Sequence, residues 1–216
     1  MADLEYVLPE EIEKRSFEII AAECAQRGFA PLPDELRPVV YRAIHTSADF
    51  DYYENLKFSE HVIPYAHRLL KSGVTIVTDT NMGLSGINKT ALKKLGCSAV
   101  CFMADPQVAQ AASENGTTRA VSSVDRAAHL EGSVIYAVGN APTALVRLRE
   151  LMDAGIFRPA LIIGVPVGFV NVEAAKEMIL KSDVPYIVAA GRKGGSNIAA
   201  AIVNALLYET LKETEA

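Results

Sequence analysis

From Gly73 onward the chain carries five short apolar runs, at 74–78, 98–103, 134–138, 161–165 and 186–190. They are rich in Val and Ile and do not alternate with polar residues. Runs of this kind suit strands buried on both faces, as in a parallel sheet. Segments of helical period separate them, near 88–95, 107–115, 120–130, 143–154 and 172–181, and a last helix is expected over about 196–212. Strand alternating with helix implies right-handed crossovers, which place helices on both faces of the sheet.

Before Gly73 the pattern is helical. Ile12, Phe17, Ile19, Ile20 and Cys24 recur at three-to-four spacing, then Gly28, Pro31 and Pro33 break the chain. A second helix begins near Glu35, with Pro38 tolerated in its first turns. A third is expected over about 59–71. With no repeat or linker in view, residues 1–216 read as one α/β domain. It has a mainly parallel sheet of about five strands and a helical N-terminal region.

Composition narrows the function classes. Half of the 216 residues are hydrophobic and 22% are charged, enough for a real core and against disorder. A net charge of -5 and a pI near 5.4 argue against a nucleic-acid partner. Mean hydropathy is +0.17, but no apolar run approaches the roughly 20 residues that span a bilayer. No basic segment followed by an apolar stretch opens the chain, so no signal peptide, no membrane partner and a cytoplasmic location are expected. Three cysteines without a CxxC pair fit neither a disulfide scaffold nor a zinc site. Cys97 and Cys101 beside a strand are expected in the core. His61 and His67, six apart, do not share a helical face as metal ligands would, and no metal is expected. His129 reads as a partner of a helix dipole, and Asp105 as a turn residue or helix cap.

In an open parallel sheet, ligands collect beyond the carboxyl ends of the strands. The loops there are distinctive. Thr78-Asp79-Thr80-Asn81-Met82-Gly83 follows the first run, Gly139-Asn140-Ala141-Pro142-Thr143 the third, and Gly164-Val165-Pro166-Val167-Gly168-Phe169-Val170 the fourth. Asn171 is a candidate cap for the next helix. Gly191-Arg192-Lys193-Gly194-Gly195-Ser196 follows the fifth. Glycines admit close backbone approach and helix N-termini offer N–H donors, although such turns also end strands for purely structural reasons. Several together, with Met82 and Phe169 among them, suggest a broad, partly apolar pocket for a flat polycarboxylate. No dinucleotide fingerprint, phosphate loop or nucleophile elbow is present.

The second helix carries Leu36, Val39, Val40, Ala43 and Ile44 on its apolar face. Arg42, His45 and Asp49 share the opposite stripe. Their spacing fits a solvated polar face. Periodicity alone leans to that reading, beside which stands an imidazole placed for proton transfer next to a cationic anchor for a carboxylate.

Taken in order, these segments resemble the precorrin-8X methylmutase family of cobalamin biosynthesis, including its cobalt-precorrin-8 form. The resemblance rests on Glu13-Lys14-Arg15-Ser16-Phe17, Arg42-Ala43-Ile44-His45, Thr78-Asp79 with Met82 and Gly86, Gly139-Asn140-Ala141-Pro142-Thr143-Ala144-Leu145, residues 164–170, and Gly191-Arg192 with Gly194-Gly195-Ser196. It implies an intramolecular methyl migration between neighbouring carbons of ring C in a corrin precursor, with no redox or organic cofactor. His45 matches the family's histidine, which assists by protonating the ring-C nitrogen. Ser16, Arg42 and Arg119 match substrate contacts, and Thr80, Met82, Gly139, Asn140, Thr143, Gly194, Gly195 and Ser196 complete the expected substrate-binding set. Family members resemble homodimers with residues of both subunits near the site. The loop after Met82 departs from the family, reading Gly83-Leu84-Ser85 where relatives often carry Val and Ala. A non-catalytic carrier of an acidic tetrapyrrole would share the same pocket and would tolerate loss of His45. A nicotinamide oxidoreductase would share the sheet but should show the missing fingerprint.

Overall fold

The computed structural model describes residues 5–215. After a 3-10 turn at Pro9–Glu11 come α1 (Ile12–Gln26), α2 (Arg37–Ser47), α3 (Tyr52–Asn55), β1 (Leu56–Phe58) and α4 (Val62–Lys71). There follow β2 (Thr75–Thr78), α5 (Asn81–Gly86), α6 (Lys89–Lys94), β3 (Ser98–Val100), α7 (Pro106–Glu114) and α8 (Arg119–Ala127). The chain closes with β4 (Val134–Val138), α9 (Pro142–Asp153), β5 (Leu161–Gly164), α10 (Val172–Leu180), β6 (Tyr186–Ala189) and α11 (Ser196–Glu215).

The strands form one sheet in the order β1-β6-β5-β4-β2-β3. Five are parallel and β1 is antiparallel to β6, pairing Leu56 with Ala189 and Phe58 with Ile187. β4 and β5 are fully buried, which explains their continuous apolar sequence. Side chains alternate between two cores. Ile76, Ile135, Ala137, Leu161, Ile163, Ile187 and Ala189 pack with α1, α2, α4 and α11. Val77, Tyr136, Val138, Ile162 and Val188 pack with α8, α9 and α10 on the other face. α11 is apolar around most of its circumference from Ile198 to Leu207, as a helix sandwiched between sheet and outer helices must be. No helix among the described residues is long and apolar enough to cross a membrane.

Four sequence expectations need correction. The sheet has a sixth strand, β1, in a region read as wholly helical. Its backbone is anchored when Ala190 N–H donates to the Asn55 carbonyl (2.8 Å) and Ser59 N–H to that of Tyr186 (3.0 Å). α4 therefore starts at Val62, after His61 has turned through a left-handed conformation (φ 54°). The run at 98–103 is an edge strand of only three residues. Cys97 and Cys101, which flank it, are half-buried and lie outside the deep core.

Candidate active site at the carboxyl edge of the sheet

Between β2 and β4, which are parallel, the order in which strands are added to the sheet reverses. β2 leads outward to β3, while β4 leads the opposite way to β5 and β6. Such a switch point opens a crevice at the carboxyl ends of the strands. Here the crevice floor is closed by the protein itself. Asp79, 2% exposed, accepts the N–H groups of Gly139 (2.8 Å), Asn140 (2.8 Å) and Ala141 (2.7 Å). Burial pushes its carboxyl above the usual aspartate range, and the three N–H bonds pull it back. The donors that open α9, expected from sequence to receive a substrate anion, are thus satisfied by an internal carboxylate.

Two loops meet above Asp79. Thr80 caps α5 by accepting the Gly83 N–H (3.0 Å), and its hydroxyl donates to the Ser196 hydroxyl (2.7 Å). Gly139 lies against Ser196 so closely that a Cβ there would sit 2.6 Å from the Ser196 Cα. The Gly195 N–H donates to the Val165 carbonyl (2.9 Å), so it too is spent inside the protein. A Cβ on Gly194 would overlap that same carbonyl. Gly139, Gly195 and Ser196 are buried keystones of a platform. Asn140, Thr143 and Met82 stand exposed on its rim.

The loop after β6 is held from both sides. Lys176 of α10, 1% exposed, donates to the carbonyls of Gly191 (2.7 Å) and Lys193 (2.8 Å). Outside, the Lys193 ammonium pairs with Asp49 (2.7 Å) and Asp51 (2.6 Å), linking this loop to the end of α2. Arg192 reaches Glu173 (3.3 Å) and lies over the Phe169 ring.

α2 packs against α11, and the Asp49–Lys193 pair ties the chain just after it to this loop. His45 is exposed and borders an open cleft of about 220 Å³ with Ser16, Ile19, Ile20, Glu23, Ile44, Ala48 and Phe50. Phe17 meets the imidazole edge-on, 6.0 Å between centroids. Behind it, Arg42 donates to Glu13 (2.6 Å) and stacks over Tyr208 (4.7 Å). The Arg42 bond holds the Glu13 carboxyl below its usual range, with a smaller contribution from His45. Arg42 keeps only 12% of its side chain exposed, and its Nε has no partner among the described residues. The expected stripe ends early. α2 stops at Ser47 and Ala48 turns left-handed (φ 54°), so Asp49 leaves the helix and binds Lys193 instead of flanking His45.

Arg119 is exposed at the first position of α8. Thr118, which caps that helix, lies 3.3 Å from Thr143 between hydroxyl oxygens. Asp105 caps α7 by accepting the Gln107 N–H (2.8 Å), as expected. Asn171 occupies the position before α10 in a left-handed conformation without side-chain capping. Met82 (70% exposed), Phe169 (81%) and Val170 (78%) expose apolar side chains on the segments that follow β2 and β5. Among the described residues no group of three or more His, Cys, Asp or Glu side chains could hold a metal ion.

Ser16 and His45 come together in the cleft, and Thr80, Gly139, Gly194, Gly195 and Ser196 in the platform. Arg119 and Thr143 lie on neighbouring helix starts. Sequence reading assigned no role to Glu13, Asp79 or Lys176. A signal existed for Lys176, which falls on the apolar stripe Val172, Ala175, Ile179 of its helix.

A family model described as precorrin-8X methylmutase matches residues 11–209. The chain is 43% identical over 212 residues to a cobalt-precorrin-8 methylmutase of Leptospira interrogans, covering 94% of this chain and 95% of that one. It is 38% identical over 201 residues to a precorrin-8X methylmutase of Pseudomonas aeruginosa, covering 92% and 94%. Its fold superposes with a TM-score of 0.84 on the precorrin-8X methylmutase of Thermus thermophilus, at 37% identity, covering 94% of this chain and 98% of that one.

Proposed function

Because the chain belongs to the precorrin-8X methylmutase family, we propose that its reaction takes place in the cleft beside His45, with the platform below carrying the substrate. The chain is an isomerase of cobalamin biosynthesis, an intramolecular methyl transferase acting on precorrin-8 or its cobalt form. The matched span 11–209 supports reading residues 1–216 as one methylmutase domain.

The single observation that carries the mechanism is His45 itself, exposed beside a partly apolar cleft on the face of α2 opposite the core. An imidazole can deliver a proton and take it back near neutral pH. Protonating the ring-C nitrogen draws electron density toward it as the methyl group leaves one ring carbon for its neighbour. An isomerisation leaves the composition unchanged, so His45 must recover the proton before the next turnover. Phe17 limits the tilt of the imidazole, and Glu13 places a carboxylate nearby. Ser16, Thr80, Met82, Arg119, Asn140, Thr143 and the loop at 191–194 are the proposed substrate-facing set, with Gly139, Gly195 and Ser196 shaping the platform beneath them. Arg42, with its charge committed to Glu13, serves the substrate through that pair.

The cleft on one chain holds about 220 Å³, below the roughly 300–1,000 Å³ typical of small-molecule sites. A flat tetrapyrrole therefore needs a second covering surface, which favours a homodimer with the partner closing each site. The reaction is assigned to the cytoplasm.

Anaerobic single-turnover incubation of the purified protein with precorrin-8 and with its cobalt complex tests this function. Conversion of either to the methyl-shifted isomer is expected. Tight binding of both with no conversion would favour the carrier reading.

A further inference from the structure

α10 turns Val172, Ala175, Lys176 and Ile179 inward. A lysine on such a stripe is costly, because removing an ammonium from water is opposed by desolvation, and a hydrocarbon of similar volume is often at least as stable. Stability alone therefore gives no reason for Lys176. Its two hydrogen bonds do. Both go to one loop, to the carbonyls of Gly191 and Lys193 on either side of Arg192, directly before the glycine pair and Ser196. We propose that Lys176 is a positioning residue of the methylmutase site, holding the loop at 191–195 from beneath in the shape that receives the substrate. The proposal rests on the reading that this loop faces the substrate.

Burial brings the Lys176 ammonium down to about 8, with Glu173 opposing the shift. The other charged or titratable groups on elements packed against α10 are Arg147, Arg149, Glu150 and Asp153 of α9, joined in the pairs Arg147–Glu150 and Arg149–Asp153, and Tyr186 of β6. Arg192 and Lys193 of the loop are bound to Glu173 and to Asp49 and Asp51. Charge-assisted bonds are roughly twice as strong as neutral ones, so deprotonation loosens the loop without cutting it free. Stability responds with the opposite sign. Between about pH 8 and 10.5 an unfolded chain keeps the lysine proton that the folded chain releases, so this group makes stability rise with pH. Substrate binding and folding stability should thus diverge above pH 8.

The test compares wild type, Lys176→Met and Ser196→Ala in KM, kcat and thermal unfolding across this range. Lys176→Met keeps the apolar stem. It should raise KM about three- to tenfold near pH 7 with kcat within about twofold, and abolish the rise in KM expected of the wild type above pH 8. An unchanged KM, or an alkaline rise in KM that persists in Lys176→Met, overturns the proposal. If Ser196→Ala raises KM while Lys176→Met does not, Lys176 alone is refuted; if neither does, the loop is not a substrate contact. Should Lys176→Met fail to fold, amide hydrogen exchange of the wild-type loop decides. Corrected for intrinsic pH dependence, protection at 192–195 must fall above pH 8, and a flat profile refutes the strap.

Discussion

His45 is the residue on which chemistry and structure can be separated most cleanly. Its side chain leaves the core, so His45→Ala removes no buried contact and should keep the unfolding temperature near that of the wild type. General acid–base groups contribute typically 10²–10⁴-fold, so single-turnover conversion should fall by about a hundredfold or more while substrate binding persists. Equal single-turnover rates for variant and wild type would remove His45 from the mechanism. Asp79 is the opposite case, hidden and multiply bonded. Asp79→Asn leaves one oxygen for three N–H donors and turns an amide NH₂ toward them. A buried donor left unsatisfied costs about 1–3 kcal/mol. At about 2–4 °C per kcal/mol for a chain of this size, a fall in unfolding temperature of roughly 2–12 °C is expected. An unchanged melting temperature would mean that the Asp79 bonds contribute nothing net. Sequence could nominate His45, because its helix has a clear apolar face for it to oppose. It could not assign Asp79, because a carboxylate at a strand end looks the same whether it meets solvent or the N-terminus of a distant helix, as Asp79 does 60 positions away.

Legibility in the sequence followed burial at the scale of elements. β4, β5 and most of β6 are covered on both faces, so their Val and Ile runs announce them. β1 spans three residues with Lys57 exposed between Leu56 and Phe58, too short to impose a period. α5 contains two glycines in six residues and reads as a loop; it forms because Thr80 caps it and α11 packs on it, with Gly86 close against Ala200. The crossing of the loops after β4 and β6 is equally invisible, since only the folded sheet brings Gly139 against Ser196. That crossing is testable. In Gly139→Ala the added methyl would meet the Ser196 Cα at 2.6 Å, the Ser196 N at 2.8 Å and the Gly195 carbonyl at 2.9 Å, all backbone atoms with little freedom to retreat. Overpacking of this kind costs about 1–3 kcal/mol. The variant should melt lower than wild type and lose activity more than stability, because both loops of the platform must shift. Full activity with an unaltered melting temperature would show that the loops do not meet as described.

For the whole molecule, what remains uncovered predicts its assembly. Two cores enclose the sheet, yet Met82, Phe169 and Val170 stay largely exposed at its carboxyl edge, and Ile12 and Ile19 on the outer side of α1. Ile19 also lines the His45 cleft, so apolar surface continues from the cleft onto the outside of the chain. A cleft of about 220 Å³ cannot enclose a tetrapyrrole, and surface of this character beside it suits a partner that supplies the missing wall. Closed twofold symmetry is the commonest solution for identical chains, and a stable interface buries about 1,200–2,000 Å². Light scattering at micromolar concentration should therefore give twice the 23.3 kDa chain mass. Replacing Phe169 and Val170 together with Asp should halve that mass while leaving the circular dichroism of the sheet intact, because both side chains already face solvent in the single chain. If the partner closes the site, the same variant loses substrate affinity along with dimerisation. A dimer-deficient variant that binds and converts substrate like the wild type would place the entire site within one chain.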